Sequence, residues 1–437
     1  MRYKPIDPDL FITNRLDLVK RLKPNSLAVI NSNDQMPRNG DQDFVFRQNS
    51  DLFYLTGLDQ EKCMLVLCPD HPLEAMREVA FIPNVSSEQV IWYGKKYSLD
   101  DAKMISGIKT IKYLDEFGIV FKDMMTRVEC VYLNQNEYPK YLTEVPYRDL
   151  RFAQQLRHDY PAHPVERLAP LLLDLRLVKK PAEIDLISKA NNITGKAFRR
   201  VLTFIKPGMM EYEIEAEITN EFIRNGASGH AYPPIIASGA DACILHYNIN
   251  NKSCKDGDLI LMDFGAEYAN YAADCTRTVP ANGKFSPRQL ECYNAVLRVL
   301  KKSIKMLVPG VTIDQVQVKV CALIDEECMA LGLYTEEDKN KSSDKPLYLN
   351  YFMHGVSHFL GLDVHDVGNR QVVLQKGMVL TCEPAIYIEK EGIGIRLEND
   401  IVVDEVPVDL MADIPLEAGE IEALMKKFCN YSDDLKY

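Results

Sequence analysis

The segment "HGVSHFLGLDVHDVG", residues 354–368, holds His354, His358 and His365 in a chain with eight histidines. One histidine is commonly a partly buried polar residue with a backbone partner. Three in one segment point to metal binding or proton transfer. His354 and His358 are four apart, as in a helical HExxH zinc motif. The glutamate of that motif is missing, and three glycines with alternating Val and Leu read as strand and loop. On this reading His358 binds metal, while His354 and His365 face a substrate and donate to a developing oxyanion or a peptide carbonyl. His246 in "ILHYN" is a further candidate, and a strand histidine packed against Tyr247 explains it equally well.

Four acidic residues bear on the choice. "DGDLILMD" (256–263) runs from Gly257 through an apolar strand to Asp263, and "KGMVLTCE" (376–383) repeats that spacing from Gly377 to Glu383. Each is followed, past a turn, by another carboxylate, Asp274 and Glu398. A helix cap or turn explains any one of these, but poorly explains all four. Four carboxylates in one cleft repel unless cations compensate them. Two divalent ions balance the charge, with His358 as a neutral nitrogen ligand. An oxygen-rich set with one imidazole and no thiolate favours manganese, with cobalt or zinc able to substitute. Cys275 and Cys382 adjoin ligand candidates, but strand alternation turns them to the opposite face, as core residues. A dimetal site of this kind holds its ions about 3.5–4 Å apart and clamps a bridging hydroxide, a nucleophile at neutral pH.

Such residues need strands to aim them. The matched spacing predicts paired strands of a duplicated half-domain around one cleft, although common strand-entry residues produce a single such echo by chance. In the first third, "SLAVI" (26–30), "CMLVLC" (63–68) and "VAFIP" (79–83) read as buried strands with helical patterns between and after them. Pro181 in "KKPAEIDLISKANNITGKAF" marks a first helical turn, with Ile184 and Ile187 on one face. At 437 residues the chain is too long for one simple core. The expected fold class is α/β (α+β), with a joint near 170–180 and domains at 1–172 and 173–437.

A net charge of −12 and a pI near 5.3 exclude nucleic-acid and membrane-surface roles, which need a basic face. No stretch approaches eighteen uninterrupted apolar residues. The eleven cysteines are scattered without a CxxC pair, and the first residues lack an apolar signal core. Both features predict reduced thiols in a cytoplasm.

Taken together, "HYNINN", "DGDLILMDFGAEYANYAADCTRT", "HGVSHFLGLDVHDVG", "VLTCEPAIYI" and "GIGIRLENDIVV" closely resemble the aminopeptidase P (Xaa-Pro aminopeptidase) branch of the pita-bread metallopeptidases. "DFVFRQNSDLFYLTGL" (43–58) is similar to that branch's accessory domain, a creatinase/prolidase-type α/β unit. The resemblance implies an accessory domain followed by a pita-bread catalytic domain. It carries five metal ligands onto Asp263, Asp274, His358, Glu383 and Glu398. Asp274 and Glu398 would bridge the ions, Asp263 would serve one, and His358 with Glu383 the other. Catalytic histidines fall on His246, His354 and His365, and the proline pocket on His354, Tyr387 and Arg396. Trp92, the only tryptophan, matches a residue that reaches a neighbouring subunit's active site, which implies a homodimer or homotetramer.

The implied activity is release of the first residue from peptides with proline second. The free amine sits by one metal and Asp263, and the scissile carbonyl leans on a metal and His365. The bridging hydroxide attacks, and Glu383 carries the proton to the departing proline nitrogen. The sequence departs from the family in a compact "PAIYIEKEGIGI" loop and a short stretch from Gly368 to Gly377, a shorter rim that bears on peptide length. A prolidase restricted to Xaa-Pro dipeptides is the alternative. A non-catalytic scaffold and a metal-free creatinase-type hydrolase both sit poorly with five intact ligands.

Overall fold

Apolar strand runs and amphipathic helices sort the chain into two units, Lys4–Arg176 and Leu177–Tyr437 with Met1–Tyr3, in a computed structural model that describes residues 2–341 and 345–429. The amino-terminal unit has a six-stranded mixed sheet. Its strands are β1 (Ser26–Asn31), β2 (Met64–Leu67), β3 (Glu78–Ile82), β4 (Thr110–Tyr113), β5 (Cys130–Leu133) and β6 (Val165–Arg167). Their order is β4-β3-β2-β1-β5-β6. Every residue of β1 is buried, as a continuous apolar run in the middle of a covered sheet should be. Helices α1 (Phe117–Met125) and α2 (Arg148–Asp159) cover one face, where Phe121, Met124 and Leu156 pack against Leu27, Val66 and Val131.

The carboxy-terminal unit repeats one succession of elements. Helices α3 (Pro181–Leu202) and α4 (Glu211–Arg224) lead to β7 (Gly229–His230), β8 (Ile235–Ser238) and β9 (Leu259–Asp263). The hairpin β10 (Ala266–Tyr268)–β11 (Tyr271–Ala272) and then β12 (Thr276–Pro280) follow. Helices α5 (Pro287–Ile304) and α6 (Ile313–Ala330) in turn lead to β13 (Val379–Cys382), the hairpin β14 (Ala385–Ile388)–β15 (Ile393–Arg396), β16 (Asn399–Val402) and β17 (Val408–Asp409). Pro181 does open its helix, where its missing N–H costs nothing; Ile187 is buried and Ile184 half-buried.

In each half the two long strands pair antiparallel: β9 with β12, Asp263 opposite Thr276, and β13 with β16, Cys382 opposite Asn399. The halves are tied together where the Glu398 N–H donates to the Thr276 carbonyl at 3.1 Å. The "HGVSHFLGLDVHDVG" segment is not a helix. It is irregular with one bridge, Phe359 to Leu380, and its first part runs beside β13. There Leu360 N donates to Val379 O, Thr381 N to His358 O, and Glu383 N to Val356 O.

Candidate metal centre

The four acidic residues lie at the inner ends of the paired strands. Asp263 ends β9, Asp274 precedes β12, Glu383 follows β13 and Glu398 precedes β16. A hairpin loop separates the two carboxylates in each half. In the first half the chain turns back so closely that a Cβ on Gly265 would stand 1.7 Å from the Ala273 carbonyl oxygen. Cys275 and Cys382 are buried and their thiols are pushed up by burial, so they are core residues, as strand alternation predicts.

His358 enters from the segment beside β13, where its backbone N–H donates to the Thr381 hydroxyl at 3.2 Å. Its Nδ1 lies 3.0 Å from the Phe359 carbonyl. A carbonyl oxygen only accepts, so Nδ1–H donates there and Nε2 is the ring atom left to face the carboxylates. Nε2 is 3.3 Å from Asp274 Oδ2 and 3.8 Å from Glu383 Oε1. Asp274, His358 and Glu398 each offer a ligand atom within 4.8 Å of the others.

The electrostatics are those of a site that attracts cations. Burial, and then the charges of Asp274 and Glu383, hold the Glu398 carboxyl well above its ordinary range. Burial raises Asp263 as well, against the Arg396 guanidinium, and it raises Glu383 to about 7 against His358 and Arg396. Burial disfavours a charged His358, but its hydrogen bond to Asp274 and the charge of Glu383 together lift it to about 9. Buried oxygens around one imidazole, with no thiolate aimed inward, fit hard divalent ions.

A second chain of contacts starts at Arg396. Its guanidinium donates to Asp263 Oδ2, to the Thr276 hydroxyl at 3.0 Å and to the Tyr387 hydroxyl at 2.9 Å. The Tyr387 hydroxyl in turn lies 3.0 Å from His354 Nε2. His354 Nδ1 sits by the Gly355 carbonyl at 2.8 Å and 3.6 Å from Glu383 Oε2. Burial, then Arg396, lowers His354 to about 4, so its ring is neutral. The His365 ring is edge-on to His358 at a centroid distance of 4.5 Å.

His246 corrects one expectation. It lies in an exposed turn rather than a strand, and Tyr247 points away from it into the protein, donating to Glu211 at 2.7 Å. Trp92 is not among the gathered residues. It belongs to the amino-terminal unit, 77% exposed on the helix Ser87–Tyr93.

Three contributors escape sequence reading. The Tyr232 hydroxyl is 2.6 Å from both Asp263 Oδ1 and Asp274 Oδ1, one proton shared between two carboxylates. The Thr276 hydroxyl donates to Glu398 Oε2 at 2.6 Å. Buried Asp400 accepts the Asp274 N–H at 3.1 Å. Only Asp400 left a signal: it is two residues past Glu398, hence on the same side of the strand.

Residues 185–405 match the model of metallopeptidase family M24, and residues 11–132 that of the aminopeptidase P N-terminal domain. The chain is 36% identical to the Xaa-Pro aminopeptidase of Escherichia coli (strain K12) over 95% of its own length and 97% of the relative's. A candidate aminopeptidase P from Bacillus anthracis is similar with a TM-score of 0.90 at 35% identity, over 97% of this chain and 99% of that one. Aminopeptidase P from E. coli with the inhibitor Pro-Leu gives 0.86 at 34% identity, over 98% and 100%.

Proposed function

The chain belongs to metallopeptidase family M24, in its Xaa-Pro aminopeptidase branch, and on that premise we propose how its residues release the first residue from peptides with proline second. The observation that carries the reading is the convergence of Asp274, His358 and Glu398 on one point, flanked by Asp263 and Glu383. These five residues would hold two divalent ions, manganese by preference. When bound, the ions supply Lewis-acid polarisation of the scissile carbonyl and a water of lowered pKa.

The protein's own groups do the rest. Asp263 faces the substrate's free α-amine, which makes the enzyme an exopeptidase. Proline has no N–H and a fixed φ, so recognition falls on the ring, held by His354, Tyr387 and Arg396. The Arg396–Tyr387–His354 chain keeps that wall in one geometry and His354 uncharged. His365 donates to the carbonyl oxygen as its negative charge grows. Glu383 takes the water's proton and delivers it to the proline nitrogen, which must be protonated to leave as an amine. The remaining proposals are a cytoplasmic setting and a homo-oligomer in which Trp92 serves a neighbour's site. Among the described residues no helix is long and apolar enough to cross a membrane.

The test is a length series of Xaa-Pro-Yaa peptides and the Xaa-Pro dipeptide, given to manganese-loaded protein and read by mass spectrometry. Release of only the first residue from tripeptides and longer substrates is expected. Cleavage confined to the dipeptide would make the enzyme a prolidase, with the short rim as the cause. No cleavage with two ions bound would overturn the catalytic reading.

A further inference from the structure

We infer that Glu211, a buried carboxylate outside the metal centre, is a positioning residue for His246; this rests on the catalytic role that the family resemblance implies for His246. The turn bearing His246 is exposed on both sides, with Ile244 at 53% and Ile249 at 66%. The buried side chain next to His246 is Tyr247, 6% exposed. What holds it lies beneath. Glu211, at the start of α4, is 0% exposed and accepts four hydrogen bonds. Oε1 takes the Ser238 N–H at 2.8 Å and its hydroxyl at 2.6 Å; Oε2 takes the Tyr247 hydroxyl at 2.7 Å and the Lys252 N–H at 2.9 Å. One side chain thus joins β8 to the stretch of chain that follows His246. Before the turn, Gly394 on β15 lets the chain approach so closely that a Cβ there would meet the Ala242 carbonyl oxygen at 2.2 Å. His246 is held between these two anchors, while its own ring remains exposed.

A buried carboxylate that accepts four donors sets their directions, because each donor would otherwise be buried unpaired. Removing the Tyr247 hydroxyl frees one flank and lets His246 wander. A 1 Å misplacement costs up to roughly 100-fold in rate, and one freed anchor of several should cost about tenfold.

The experiment compares manganese-loaded wild type, Tyr247→Phe, Glu211→Gln, His246→Ala and the two double variants with His246→Ala. It measures kcat and KM on an Xaa-Pro-Yaa tripeptide, with bound metal and thermal midpoint as controls. Tyr247→Phe, which keeps the ring, serves if Glu211→Gln fails to fold. The expected result is an about tenfold fall in kcat for Tyr247→Phe that shrinks below twofold once His246 is alanine, as coupled positions behave. An equal fall in both backgrounds would overturn the inference and leave the role of His246 standing. An inert His246→Ala would overturn both.

Discussion

Lys179 and Asp366 form an ion pair at 2.9 Å with both side chains only 1% exposed, in the unit that holds the metal centre. The pair fastens the histidine segment. Lys179 N donates to the Gly377 carbonyl, and Asp366 follows His365 with its N–H on the Phe359 carbonyl. The contact requires Gly361, where a Cβ would stand 2.3 Å from Asp366 Oδ2. At 2.9 Å and an effective dielectric constant of about 20, the Coulomb attraction is about 6 kcal/mol. Desolvating two ions costs several kcal/mol each, so the intact pair contributes little net stability. Removing one partner takes the opposite charge of this pair from the other while it stays buried, which costs about 3–5 kcal/mol. Lys179→Met should therefore destabilise the unit by that amount. Asp366→Asn, which keeps the shape, should do likewise, and the double variant should recover at least about 2 kcal/mol of their sum. Hydrogen exchange of the β13 amides in full-length protein, followed by mass spectrometry, reads the unit's opening free energy in all four proteins. Strict additivity, or a Lys179→Met loss below about 1 kcal/mol, would refute this reasoning.

In the amino-terminal unit, burial raises the Asp149 carboxyl to about 7, against its hydrogen bonds with Asn31. The folded state holds this proton more tightly than the unfolded chain, so stability is full below about pH 4 and is lost as pH rises through about 7. The loss totals roughly 4 kcal/mol, about 3 of it between pH 5 and 8, and it should vanish in Asp149→Asn when β1 amide exchange is followed over that range. Gly265→Ala drives a methyl into the Ala273 carbonyl between Asp263 and Asp274, so bound metal by atomic emission should fall with a stability loss of about 1–3 kcal/mol or more. His358→Ala should lower bound metal to one ion or none while the fold persists; two ions still bound would remove His358 from the ligand set.

Strand register and carboxylate spacing were legible because a period of two fixes which side chains share a face. The run from Gly257 to Asp263 and its echo from Gly377 to Glu383 became β9 and β13, each paired with the strand that begins beside Asp274 or Glu398. Pro181 at a helix start was legible for a similar local reason. His246 was not, because the sequence offered Tyr247 as its packing partner. In the fold, Tyr247 turns inward to a carboxylate far away in sequence. Tyr232 and Thr276 escaped for the same cause: a hydroxyl has no spacing signature until the fold brings its acceptor to it.

The two halves share one plan, and a symmetric plan alone would give a symmetric nest of four carboxylates. The histidine segment breaks that symmetry. It runs along β13, so His358 arrives beside Glu383 and Asp274, while the Arg396 guanidinium settles on Asp263. One end of the site thus receives an imidazole and the other a fixed cation that also orients Tyr387 and His354. Peptide hydrolysis needs this difference, because the amine end and the leaving-nitrogen end of a substrate require opposite handling. Repetition builds the nest of acids, and one inserted segment gives it direction.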